Sequence, residues 1–116
     1  MQLDDYQAQA LTTAMYPGRG DGYLDYVSKK LAGECGEFLE KLGKQQRTAQ
    51  TLTLNRSQFS GEQVADLGKE IGDILWYVAA AADELGLTLG EVAQANLDKL
   101  ASRADRSVID GAGDDR

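Results

Sequence analysis

The sequence has no histidine. That gap alone removes Ser-His-Asp triads, Cys-His pairs, histidine zinc sites and Glu-x-x-His di-iron bundles. Cysteine occurs once, as Cys35, so no disulfide framework can form within the chain, which fits a reducing, cytoplasmic setting. Proline also occurs once, at Pro17, which leaves helices free to run long. No apolar run approaches the roughly 20 residues of a membrane span. The opening "MQLDDYQ" has neither the basic nor the apolar part of a signal peptide. Positive charge is scarce as well: 12 Lys and Arg stand against 19 Asp and Glu, for a net charge of −7 and a pI near 4.5. Such a field repels a nucleic-acid backbone. It still admits a small phosphorylated substrate, provided that cations bridge the two.

What is present suits one helical domain. A chain of 116 residues buries roughly 60–70% of its unfolded surface, so its core is modest and a second subunit would add to it. The spacing predicts four main helices. The first spans about 4–15, with Asp4 as N-cap and Gln7 closing a capping box. "YPGRGDG" (16–22) ends it. The second spans about 23–44, with Leu24, Val27, Leu31, Cys35, Phe38 and Leu42 in one stripe. Residues 45–61 lose that period and read as a long loop. The third starts after Ser60, boxed by Gln63, and runs to about Leu85, where Gly86 stops it. The fourth follows a Thr88/Glu91 box and runs to about Ala104, with Leu89, Ala93, Leu97, Leu100 and Ala104 on its apolar side. The expected architecture is an all-α antiparallel bundle over residues 1–105, completed by homo-oligomerisation, with a polar tail at 106–116.

The acids on these helices are placed unusually. "GECGEFLEK" (33–41) puts Glu34 and Glu37 on one flank of the second helix, roughly 60° and 120° from Leu31, with Lys30 and Lys41 on the same flank. Glu40 points the opposite way, to solvent. "EIGDILWY" (70–77) sets Glu70, Asp73 and Tyr77 on one flank of the third helix. Asn96, Lys99 and Arg103 line one edge of the fourth. A single acid pair three residues apart is usually surface charge, and Lys99 and Arg103 alone read equally well as solvated charge. Two such pairs beside apolar stripes are harder to dismiss, because each contains glycine. Gly33, Gly36 and Gly72 each cost about 0.5–1 kcal/mol against alanine in a helix. Close approach of a neighbouring helix or a ligand is the simplest compensation. If the second and third helices pack antiparallel, four carboxylates share a groove, and converging like charges call for cations. An all-oxygen donor set selects Mg²⁺, with Mn²⁺ as substitute. Trp76 faces away from the acids and reads as core or subunit interface. Tyr77 shares their face.

"LAGECGEFLEK", "KEIGDILWYVAAAADELGLTL" and "ANLDKLASR" together resemble the MazG-like nucleoside triphosphate pyrophosphohydrolases over most of the chain. The resemblance implies an all-α fold assembled as a dimer or tetramer. It implies Mg²⁺-dependent cleavage of a nucleotide between its α and β phosphates, giving a nucleoside monophosphate and pyrophosphate. Its metal ligands fall on Glu34, Glu37, Glu70 and Asp73, and either Glu34 or Glu37 is the base. Tyr77, Asn96, Lys99 and Arg103 fall where relatives contact the nucleotide. Gly33 stands where related dimeric dUTPases often carry a further glutamate, which points away from that activity. The alternatives on this scaffold are a dUTPase- or dCTPase-like enzyme, a phosphoribosyl-ATP pyrophosphohydrolase and a non-catalytic helical oligomerisation or regulatory module. The resemblance leaves the preferred base and sugar open.

Overall fold

Ser60 opens the most apolar of the long helices. Its hydroxyl accepts from the Gln63 N–H, while the Gln63 side chain accepts from the Ser60 N–H. The same reciprocal pair, Thr88 and Glu91, opens the last helix. Between them the chain turns through a Schellman motif. Gly86, at φ +74°, donates to the Asp83 carbonyl, and Leu87 donates to that of Ala82. These local devices fix the framework of the computed structural model, which describes residues 1–106. Its helices are α1 (Leu3–Ala10), α2 (Asp25–Ala49), α3 (Gly61–Glu84) and α4 (Leu89–Asp105). Single 3₁₀ turns lie at Leu11–Thr13 and Arg56–Gln58. No strand occurs among the described residues. The polar tail expected beyond Arg106 lies outside them.

Three expectations are corrected. First, α2 continues to Ala49 instead of ending near Lys44. The added residues are mostly good helix formers, and apolar period is not what holds them. Gln45 donates to the Gln58 carbonyl and Gln46 to that of Leu52, so the return loop seals the helix end. Second, α1 is not capped by Asp4. Its N-cap is Gln2, with no side-chain bond. Asp4 and Gln7 cap α4 instead: Oδ1 of Asp4 accepts from the Gly90 N–H at 2.7 Å, and Oε1 of Gln7 accepts from that of Leu89 at 3.1 Å. With Thr88 taking the Glu91 N–H, three orphan donors of the first turn of α4 are satisfied. A Cβ at Gly90 would lie 2.8 Å from the Asp4 carboxylate, so a larger residue there would push that side chain off its bond. Third, Leu97 and Leu100, expected to face the core, are exposed, whereas Lys99 is half-buried and Arg103 buried. Helix α4 is rolled so that its basic edge turns inward.

The buried core lies at one end of the α2–α3 hairpin. Leu11, Tyr16, Val27 and Ala80 form one cluster, with Trp76 against it; Ala79, Ala82 and Leu89 form another, with Tyr6 and Val78. Trp76, expected in the core or a subunit interface, packs partly buried against the first cluster, and its indole N–H donates to the Ala10 carbonyl at 3.1 Å. Gln7 ties α1 to both α3 and the α3–α4 turn by donating to the Ala79 and Leu87 carbonyls. Outside this end the hairpin is thinly covered. The radius of gyration is 17.2 Å, against about 13 Å for a compact domain of this length.

Candidate active site

Helices α2 and α3 run antiparallel, and one polar seam follows their contact. Going along α2 and back along α3, Val27 meets Ala80, Lys30 meets Tyr77, Glu34 meets Asp73 and Glu70, Lys41 meets Glu70 and Asp66, and Gln45 meets Gln63. The steps of three, four and seven residues put each set on one helix face. Residues far apart in sequence therefore become a single row.

The middle of the row is acidic. One carboxylate oxygen each from Glu34, Glu70 and Asp73 lies within 4.8 Å of the others. Glu34 and Glu70 are half-buried and Asp73 is exposed. Three carboxylates from two rigid helices form an all-oxygen donor set, which fits a hard divalent cation such as Mg²⁺ or Mn²⁺. Glu37, the fourth acid expected here, is exposed one turn along α2 and is not part of the three-acid group. Glu40 is exposed, as its position predicts.

Cations bracket the acids. The Lys30 ammonium stands 6.0 Å from the Tyr77 ring centre. At the other side the Lys41 ammonium lies 2.7 Å from Asp66 Oδ2 and 2.5 Å from Glu70 Oε1. Hydrogen bonds to Asp66 and then Glu70 raise the Lys41 pKa well above its ordinary value. The Lys41 hydrogen bond, in turn, lowers that of Asp66.

An aromatic wall closes the Tyr77 end. Tyr26 stacks on Tyr16 at 5.5 Å, Tyr16 meets Trp76 edge-on, and Trp76 meets Tyr77 edge-on at 4.9 Å. Burial raises the Tyr77 pKa first, followed by the neighbouring Tyr26 hydroxyl and the charges of Glu34 and Asp73. Burial and then the charge of Asp73 raise the pKa of Tyr6 on α1. Asn96, exposed, and Lys99 and Arg103 lie on α4, which packs against α1 and α3. The acids thus share a seam of α2 and α3, while the three polar residues of α4 arrive on a separate helix.

Sequence reasoning missed the part of Glu84. This buried carboxylate accepts from the Tyr16 hydroxyl at 2.8 Å and from the N–H groups of Gly20 and Gly22 at 2.7 and 2.9 Å. Both glycines have positive φ, which presents their N–H groups to one point. Those bonds, the Gly20 N–H first, hold the Glu84 pKa below its usual value against the opposing effect of desolvation. The loop is thereby fastened to the end of α3, and its Tyr16 buttresses the aromatic wall. The signal was the glycine-rich "GRGDG", whose backbone donors needed an acceptor.

The close approach of a neighbouring helix expected at the glycines beside the acids is another correction. A Cβ on Gly33, Gly36 or Gly72 would meet nothing within 4 Å. No neighbouring helix of this chain approaches them among the described residues.

Residues 25–108 match the family model of the MazG nucleotide pyrophosphohydrolase domain, and the chain belongs to that family. It is also similar to the Gene 37 protein of Mycobacterium phage L5, at 43% identity over 120 residues, covering 100% of both chains. No solved structure gives a significant match. Among the described residues no helix is long and apolar enough to cross a membrane.

Proposed function

We propose that the protein is a Mg²⁺-dependent nucleoside triphosphate pyrophosphohydrolase, cleaving (d)NTPs between the α and β phosphates to (d)NMP and pyrophosphate. The carrying observation is the meeting of Glu34, Glu70 and Asp73 within 4.8 Å, inside the segment that matches the family. These three acids would hold the cation, which when bound neutralises phosphate charge and makes water a better nucleophile at neutral pH. Glu37 lies beside them without joining the group, which leaves its carboxylate to take the proton from the attacking water. Tyr77, at the end of the aromatic wall, flanks the nucleoside. Asn96 offers a neutral hydrogen bond to the phosphates, and Lys99 and Arg103 stabilise the departing pyrophosphate. Arg103 is buried, so Lys99 is the more accessible of the two cations.

A second copy of the chain would complete the fold. Support comes from the apolar residues left outside: Leu39, Ile71 and Leu97 are 64%, 54% and 59% exposed. Leaving such a set wet forgoes roughly 25 cal/mol per Å². The test is pyrophosphate release from a panel of canonical and oxidised NTPs and dNTPs, with Mg²⁺ and with chelator. Mg²⁺-dependent release of equal amounts of monophosphate and pyrophosphate is expected. Turnover of dUTP or dCTP alone would move the assignment to those activities. No turnover of any nucleotide would leave the helical interaction module.

A further inference from the structure

We infer that Lys41 is a displaceable counter-ion of the acid row, seated on Glu70 when no divalent cation is present and withdrawn onto Asp66 when one enters. This rests on the metal reading above and concerns only how the chain prepares for the ion. One ammonium touches two carboxylates one turn apart on α3. The two are not equivalent. The Glu70 side chain is 13% exposed and shares the three-acid group, whereas that of Asp66 is 51% exposed and lies outside it. Converging carboxylates such as Glu34, Glu70 and Asp73 repel one another, so a cation beside Glu70 relieves the row. A divalent ion does so better, and then Lys41 becomes a like charge at close range.

The surroundings give the ammonium somewhere to go. A cavity of about 280 Å³ opens on the Asp66 side, lined by Lys41, Lys44, Gln45, Phe59, Gln63 and Asp66, and Glu70 is not in its wall. Lys30, the cation at the other side of the acids, stands over the Tyr77 ring. A Lys41 that served only to brace α2 against α3 would leave Mg²⁺ affinity unchanged when replaced.

The experiment is Mg²⁺ titration calorimetry on the full chain, comparing wild type, Lys41→Met, Asp66→Asn and the double variant, with melting curves taken without Mg²⁺. Lys41→Met is expected to bind Mg²⁺ about tenfold more tightly, since a competing charge is gone. Asp66→Asn is expected to bind it roughly fivefold more weakly, and that effect should vanish in the Lys41→Met background. Lys41→Gln serves if Lys41→Met does not fold. Equal or weaker Mg²⁺ binding without Lys41 overturns the inference, as does an Asp66 effect that persists without Lys41. Wild-type binding that ignores both residues removes this inference and leaves the metal site standing. Absence of Mg²⁺ binding in all proteins removes the metal reading and this inference together.

Discussion

The two ends of the α2–α3 hairpin are built on opposite terms. At the Val27–Ala80 end, small side chains bring the helices together, and α1, the 16–22 loop and α4 close over them. Polar groups there are buried with their partners: Gln7 bonds three backbone groups and Glu84 takes three donors. From Glu34 to Gln63, the same helices meet through charged and amide side chains, beside apolar residues such as Ile71 that remain exposed. One end spends its polar groups on fastening the chain. That fastening lets the other end keep like charges together without falling apart. If the acids carry the chemistry, mutations at the two ends should separate stability from activity.

The largest effect should come from the acid row. Glu70→Gln or Asp73→Asn is expected to lower Mg²⁺-dependent turnover about 10²–10⁴-fold, measured as pyrophosphate release. Far-ultraviolet circular dichroism should stay at the wild-type level, because neither residue belongs to the buried clusters. A loss of fold in these variants would break the division between the two ends.

Glu84→Gln should do the reverse. It leaves fold-fastening donors short of a charged acceptor and is expected to cost about 1.5–3 kcal/mol in denaturant unfolding. Its pH signature has a definite sign. Folding lowers the Glu84 pKa from 4.5, so its contribution is complete above that value and fades as pH falls through the folded pKa. Wild-type stability should therefore drop through the acidic range, and Glu84→Gln should flatten that part of the slope.

How far this division could be read in advance depended on the range of the interactions. Ser60/Gln63 and Thr88/Glu91 were legible because a capping box is complete within four residues. Asp4/Gln7 has the same spelling, yet its oxygens serve α4, more than 80 residues away. Local pattern cannot choose between its own helix and a distant one. The acid flanks were legible from helical angles, and Lys41 was seen to share one. Its partners were not, since only the antiparallel register of α2 and α3 brings Asp66 and Glu70 to it. The inward basic edge of α4 ran against hydrophobic pattern, with Leu97 and Leu100 left outside.

Smaller effects sharpen the comparison further. Gly36→Ala removes a helix-weakening residue where a Cβ meets only open space. It should raise stability by about 0.5–1 kcal/mol in thermal melts of dilute protein. Gln50, at φ +51°, occupies the left-handed position that ends α2. Gln50→Gly should stabilise by about 1 kcal/mol or less, read from the denaturant midpoint, with turnover unchanged.

The central claim is that Glu34, Glu70 and Asp73 act together as the seat of a catalytic divalent cation. Mg²⁺ binding by calorimetry in wild type and Asp73→Asn tests it most directly. Binding of Mg²⁺ by the wild type, weakened at least about tenfold in Asp73→Asn, is the predicted result. Wild-type binding that Asp73→Asn leaves unchanged, or no binding at all, would contradict it.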